Sequence, residues 1–164
     1  MPALSKMIIV GMADLNVCTS PGALTTLGLG SCVGIALYDK VTKVAGLAHI
    51  MLPDSTKIQN NTNIAKFADT AIVKLIRDME KLGAKKGNMK AKIAGGAQMF
   101  AFNSNIESMR IGDRNVEATK DFLRRQGIPI IAEETGANFG RTVELYADDG
   151  RFVIKTVGKG NRVL

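Results

Sequence analysis

Apolar residues recur along this chain with two different periods, and the periods divide it into helices and strands. Ile64, Phe67, Ala68, Ala71, Ile72, Leu75, Ile76, Met79 and Leu82 follow helical spacing, which predicts a helix over 64–82, capped by Asn63 and stopped by Gly83. A second helix is predicted over 113–126, with Val116, Phe122 and Leu123 inward and Gly127 at its end. Short apolar runs at 7–10, 24–27, 33–38, 43–48, 90–94, 128–132, 141–147 and 151–157 read as strands. The turn-forming Asp39-Lys40-Val41-Thr42 and Asp148-Asp149-Gly150 make hairpins of two adjacent pairs of runs, whereas 16–22 and 54–63 read as loops. Phe100 and Phe102 are expected to anchor a loop to the core.

About eight strands, two main helices and hairpins rather than strict strand–helix alternation predict a layered α/β fold: mixed or antiparallel sheets with the helices packed outside. At 164 residues the chain suits a single domain, 1–164, large enough to bury a core without disulfides or metals. The first six residues carry no long apolar segment, and no apolar run reaches the length of a membrane span. A cytoplasmic protein, not itself a membrane protein, is therefore expected.

Two cysteines, Cys18 and Cys32, make no disulfide framework, and with one histidine they fall short of a zinc ligand set, so no metal is expected. Gly95-Gly96 permits close backbone approach but lacks the spacing of a phosphate loop, and no cofactor is expected. The net charge of +7 concentrates in 74–92, with seven Lys/Arg against two acidic residues, and in 151–164, with four against none. Without tryptophan or a recognised motif, these basic regions read as solvated faces or as steering surfaces for an acidic protein rather than as a nucleic-acid interface.

The candidate chemistry lies in the first hairpin. If Tyr38 pairs with Lys43 across the turn, the same register sets Cys32 opposite His49, the only histidine. Opposed residues share a face with Cβ atoms about 4.5–5.5 Å apart, near enough for an imidazole to activate a thiol. Gly34 and Ala36 on that face would leave room for a substrate. Cys32 follows Gly28-Leu29-Gly30-Ser31, a turn whose backbone N–H groups, at Gly30, Ser31 and Cys32, could converge on an oxyanion. A thiol beside an imidazolium would populate the thiolate. The plain alternatives are a buried cysteine acting as a small hydrophobe and a histidine that is only a satisfied polar residue.

Several strings together resemble the CheD family of chemoreceptor glutamine deamidases. They are Leu27-Gly28-Leu29-Gly30-Ser31-Cys32-Val33-Gly34, Ala48-His49-Ile50-Met51-Leu52-Pro53-Asp54-Ser55, Lys66-Phe67-Ala68-Asp69-Thr70-Ala71, Lys92-Ile93-Ala94-Gly95-Gly96-Ala97, Ile111-Gly112-Asp113-Arg114-Asn115-Val116-Glu117-Ala118 and Ala132-Glu133-Glu134-Thr135-Gly136. The resemblance implies a fold similar to the catalytic domain of deamidating cytotoxic necrotising toxins. It also implies a catalytic triad of Cys32 as nucleophile, His49 as base and Thr26 as the third member; from residue type alone, Thr26 would read as an ordinary strand residue. The implied substrates are glutamines of methyl-accepting chemotaxis receptors, and the implied partner is the CheC phosphatase. A mainly non-catalytic adaptor acting on receptors or on CheC is the alternative. One departure stands out: Glu134-Thr135-Gly136-Ala137 replaces the expected Asp-Thr-Gly-Gly, which touches the 134–140 loop but none of the triad positions.

Overall fold

A computed structural model describes residues 6–98 and 110–164; the expected anchoring of Phe100 and Phe102 lies outside the described residues. Three layers are formed. A five-stranded sheet in the order β1-β3-β8-β9-β10 packs against a second in the order β2-β5-β4-β6-β7, and both helices cover the far side of the second sheet. The strands are β1 (Met7–Ile9), β2 (Asp14–Thr19), β3 (Ala23–Leu29), β4 (Val33–Asp39), β5 (Val44–Ile50), β6 (Met89–Gly95), β7 (Ile130–Thr135), β8 (Arg141–Tyr146), β9 (Phe152–Thr156) and β10 (Gly160–Val163). The helices are α1 (Ala68–Lys81) and α2 (Ile111–Arg125). Both sheets are mixed, since β1 pairs with β3 and β6 with β7 in parallel while the other pairs are antiparallel.

The central position of β4 and β5 explains their unbroken apolar sequences. Val33, Ile35, Leu37, Ala48 and Ile50 pack with Ala71, Ile72, Leu75 and Met79 of α1, while Ala36, Ala45 and Leu47 face Leu24, Val143, Leu145 and Phe152 of the opposite sheet. Strands covered on both faces lose the usual alternation.

Four expectations change. The 16–22 segment is not a loop throughout, because β2 runs to Thr19 as an edge strand on β5. Its Leu15 and Val17 alternate with polar residues against the helix-side core, a pattern obscured by the turn-forming Thr19-Ser20-Pro21-Gly22. Strand β10 carries no apolar signal because it is an exposed edge held by pairing to β9. The 64–82 helix is divided: Ile64–Lys66 is a single 3₁₀ turn capped by Asn63, and Phe67 then adopts an extended conformation before α1 begins. Phe67 bridges to Leu52, and the Lys66 carbonyl accepts from the N–H groups of Met51 and Leu52, so the chain leaving β5 is tied to the start of α1.

The hairpin register is the fourth change. The closing pair is Asp39–Val44 rather than Tyr38–Lys43, which slides β4 by two residues along β5 and sets His49 opposite Gly34. The cause is Asp39. Its buried carboxylate accepts from the N–H groups of Val41 and Thr42 and, through its other oxygen, from Lys85 N–H at 2.9 Å. This residue therefore closes the turn from within the strand, and Lys43 takes the left-handed conformation (φ 55°) that completes the loop.

Candidate functional site

Thr26, His49 and Cys32 gather in the layer between the two sheets. Thr26 is fully buried in β3, and its Oγ1 lies 2.7 Å from His49 Nδ1 in β5, so the contact crosses from one sheet to the other. The same hydroxyl donates to the Val10 carbonyl at 2.7 Å. A hydroxyl has one proton; with that proton committed to Val10, Thr26 accepts from His49, which places the neutral ring's proton on Nδ1. The opposite nitrogen, Nε2, is then the basic one, and it is buried without a hydrogen-bond partner.

Cys32 stands just before β4, two residues from Gly34, the register partner of His49. The slide of two residues keeps the parity of the strand, so Cys32 stays on the His49 face but one diagonal step away. Cys32 belongs to the buried cluster that includes Leu29, Ala94 and Val143, and no thiol–imidazole hydrogen bond is formed. Gly34 leaves no room for a substrate, since a Cβ there would stand 3.0 Å from Leu29 Cδ1, whereas Ala36 borders a cavity of about 250 Å³ that neither Cys32 nor His49 lines. The absence of a side chain at Gly34 lets the sheets approach.

The electrostatics also differ from a resting ion pair. Burial pushes the Cys32 thiol above its ordinary pKa, partly offset by its own backbone N–H, and burial pushes His49 below its ordinary value. Both shifts favour the neutral form. Burial thus favours a thiol and an imidazole over a thiolate and an imidazolium. Cys18, buried at the far end of the same layer, is raised to about 11.

The turn carrying Cys32 is held by its carbonyls. Gly30 O accepts from Ala97 N–H at 2.8 Å, Ser31 O from Asn115 Nδ2 at 3.0 Å, and Cys32 O from Gly96 N–H at 2.8 Å. Gly95 must be glycine for this contact, because a Cβ there would lie 2.3 Å from the Cys32 carbonyl oxygen and φ is +106°. The expected close approach at Gly95-Gly96 is thus an approach to the cysteine turn.

Two buried polar groups at this end escaped the sequence reading. Asn115 donates to Met51 O as well as Ser31 O, and Arg141, nearly fully buried, bonds Glu134 at 2.8 Å and the carbonyls of Gly95 and Gly136. Their signals were present. Counting back by fours from inward Leu123 reaches Thr119 and Asn115, and counting back by twos from Leu145 reaches Val143 and Arg141. Both polar residues sit on buried faces of their elements.

Its place just past His49 makes the 54–63 segment a candidate rim of the site, but its contacts lead elsewhere. Ser55 is fixed to Asp69 of α1 by its N–H at 3.0 Å and its hydroxyl at 2.6 Å, and the segment instead borders an open cleft of about 810 Å³ with Arg114, Asp121 and Arg125 of α2. Neither Cys32 nor His49 lines that cleft. Among the described residues no cluster of three or more His, Cys, Asp or Glu side chains is placed to hold a metal ion, and no helix is long and apolar enough to cross a membrane.

Similarity to known proteins agrees with the motifs. The chain is 60% identical over 156 residues to a probable chemoreceptor glutamine deamidase CheD of Lachnoclostridium phytofermentans, spanning 95% of this chain and 97% of that protein. It is 59% identical to the counterpart in Caldanaerobacter subterraneus subsp. tengcongensis, over 95% of this chain and 96% of that one. It is 54% identical to the chemoreceptor glutamine deamidase CheD of Halalkalibacterium halodurans, over 97% and 99% respectively. Among solved structures, the Bacillus licheniformis hypothetical protein YfiH overlaps 76% of this chain and 51% of its own, with a TM-score of 0.46 and 15% identity. The profile described as CheD chemotactic sensory transduction matches residues 51–156, and the chain belongs to the CheD family.

Proposed function

We propose that this protein deamidates glutamine side chains of chemotaxis receptors, with Cys32 as nucleophile, His49 as general base and acid, and Thr26 as the group that orients the imidazole. The observation that carries this reading is the Thr26–His49 hydrogen bond at 2.7 Å: it directs the imidazole's basic Nε2 into the layer that holds Cys32 and leaves that nitrogen without another partner. Relatives 54–60% identical to this chain bear the name chemoreceptor glutamine deamidase, which supplies the reaction and the substrate class.

The chemistry follows from neutral resting groups. As the glutamine carboxamide enters, His49 Nε2 takes the thiol proton while sulfur bonds to the carboxamide carbon, giving a tetrahedral oxyanion. The C=O and N–H of a trans peptide point in opposite directions. With the Gly30 and Ser31 carbonyls drawn toward Ala97 and Asn115, the N–H groups of Ser31 and Cys32 face the other way and serve as oxyanion donors. Collapse of the intermediate breaks the C–N bond, and the imidazolium returns its proton to the departing ammonia. Water then attacks the thioester with His49 again as base, releasing glutamate and the thiol.

The reaction needs no metal or cofactor. The protein would work in the cytoplasm, where the signalling regions of receptors lie, and the CheC phosphatase is its expected partner. Mass spectrometry of a receptor fragment after incubation is the decisive experiment: each event replaces NH₂ with OH, and wild-type protein should convert specific glutamines while Cys32→Ala converts none. A folded Cys32→Ala protein with wild-type conversion would refute the nucleophile assignment, and no conversion by wild type would refute the activity.

A further inference from the structure

Strand β5, which carries His49, and β4, which Cys32 immediately precedes, separate at their ends, and one side chain spans the gap. The β4–β5 ladder stops at the Val33–Ile50 pair. Beyond it, the chain before β4 turns to the end of β6, with Cys32 O on Gly96 N–H, while the chain after β5 turns to the start of α1, with Met51 N–H on Lys66 O. Asn115 lies in the split. Its single nitrogen donates both protons, one to Ser31 O at 3.0 Å and one to Met51 O at 2.9 Å.

We propose that Asn115 is a positioning residue for catalysis, whose amide sets the separation of the Cys32 turn from the His49 strand. This rests on the Cys–His reading above. Several features of Asn115 support it. The residue is fully buried, so the amide is desolvated and both donors are spent on these two carbonyls. Its Oδ1 is buried without a partner, which costs free energy, so stability alone does not account for an amide here. The two carbonyls flank the pair: Ser31 is bonded directly to Cys32, and Met51 is two residues beyond His49. Helix α2 is itself fixed close to this end, since a Cβ at Gly112 would stand 2.4 Å from Ala97 O. The thiol and the imidazole are not hydrogen-bonded at rest, so their approach during attack depends on how far apart these two segments are held.

The test compares Asn115→Ala, Asn115→Ser and Thr119→Val with Cys32→Ala on a receptor fragment, reading kcat, KM and the pH profile of Cys32 alkylation by iodoacetamide. Thr119 lies one turn further along the same buried face, with a hydroxyl that has no hydrogen-bond partner. Asn115→Ala should lose about tenfold to a hundredfold in kcat with little change in KM, and its alkylation profile should move. Asn115→Ser, which keeps one donor, should fall between Ala and wild type, and Thr119→Val should match wild type. Wild-type kcat and alkylation in folded Asn115→Ala overturns the proposal, as does an equal loss in Thr119→Val. If Asn115→Ala does not fold, Asn115→Ser decides by the same two readouts. A fully active Cys32→Ala protein refutes the underlying reading instead, so the two failures are distinct.

Discussion

Thr26 and His49 meet across the interface between the two sheets, 2.7 Å apart, with the threonine proton already committed to Val10. A neutral hydroxyl in this place fixes the histidine tautomer without adding a charge to a buried layer. The arrangement differs from an acidic third member, which would also stabilise the imidazolium as it forms.

Removing that acceptor should expose its role. Thr26→Val keeps the shape but leaves Nδ1–H unpaired, and kcat should fall by about tenfold to a hundredfold, less than for loss of a charged partner. Thr26→Ser should recover most of the rate. Equal rates for the Val and Ser variants, compared in a steady-state ammonia-release assay, would mean that the hydroxyl does not orient the ring.

Cys32 and His49 should behave as one unit. Each Ala substitution should lower deamidation on the order of a thousandfold or more, and the double variant should be scarcely worse than either single, because neither group works without the other. Additive losses in the double-mutant cycle would count against a shared proton-transfer step. Cys18→Ala, in a different part of the layer, is the control.

Acidification should weaken both activity and stability through His49. Burial holds the folded pKa below 6.5 while the unfolded chain titrates at its ordinary value. Between those two values the unfolded state binds more protons, so stability from this group is complete above 6.5 and is lost as pH falls through the lower folded pKa. Urea unfolding of wild type and His49→Gln should converge on going from neutral pH to about pH 5, where no other side chain has its ordinary titration. The acidic limb of deamidation should likewise lie below 6.5. Parallel stability profiles for the two proteins would contradict the buried neutral imidazole.

Thiol labelling follows from the opposite sign. Both cysteines are raised by burial, Cys18 to about 11, so iodoacetamide should modify Cys32 with an apparent pKa above the ordinary 9.0 and Cys18 only at higher pH. Peptide mapping separates the two. A Cys32 midpoint well below 9.0 would restore the thiolate–imidazolium resting pair.

The loop that departs from the family pattern offers a stability test. Ala137 sits at φ 61°, a left-handed conformation that a Cβ disfavours, and its carbonyl is held by Gln98 N–H at 2.9 Å. Ala137→Gly relieves the strain, partly offset by the greater freedom of glycine in the unfolded chain, and should stabilise the protein by about 0.5–1 kcal/mol. Denaturant melts that show Gly to be less stable than Ala would remove strain from the account.

Much of the fold was legible because local patterns and burial agreed. The α1 stripe from Ala71 to Met79, the continuous apolar runs of β4 and β5, and the Asp149-Gly150 turn each carry their structure in sequence spacing, since the face that is apolar is the face that is covered. Cys32, His49 and Thr26 stood out only because an unpaired thiol, a solitary histidine and the strings around them could be set beside a known family. Tertiary structure decided the rest. Asp39 chose the hairpin register by closing its own turn, which moved Cys32 from directly opposite His49 to a diagonal step away. Thr26 reached His49 because sheet packing brings together strands that do not pair with each other. The charge state of the pair depends on how deeply both groups are buried, and the bridge between Ser31 and Met51 is made by Asn115, more than sixty residues along the chain from either. Side-chain period encodes which face is buried, but not which distant polar groups that burial brings within hydrogen-bond distance.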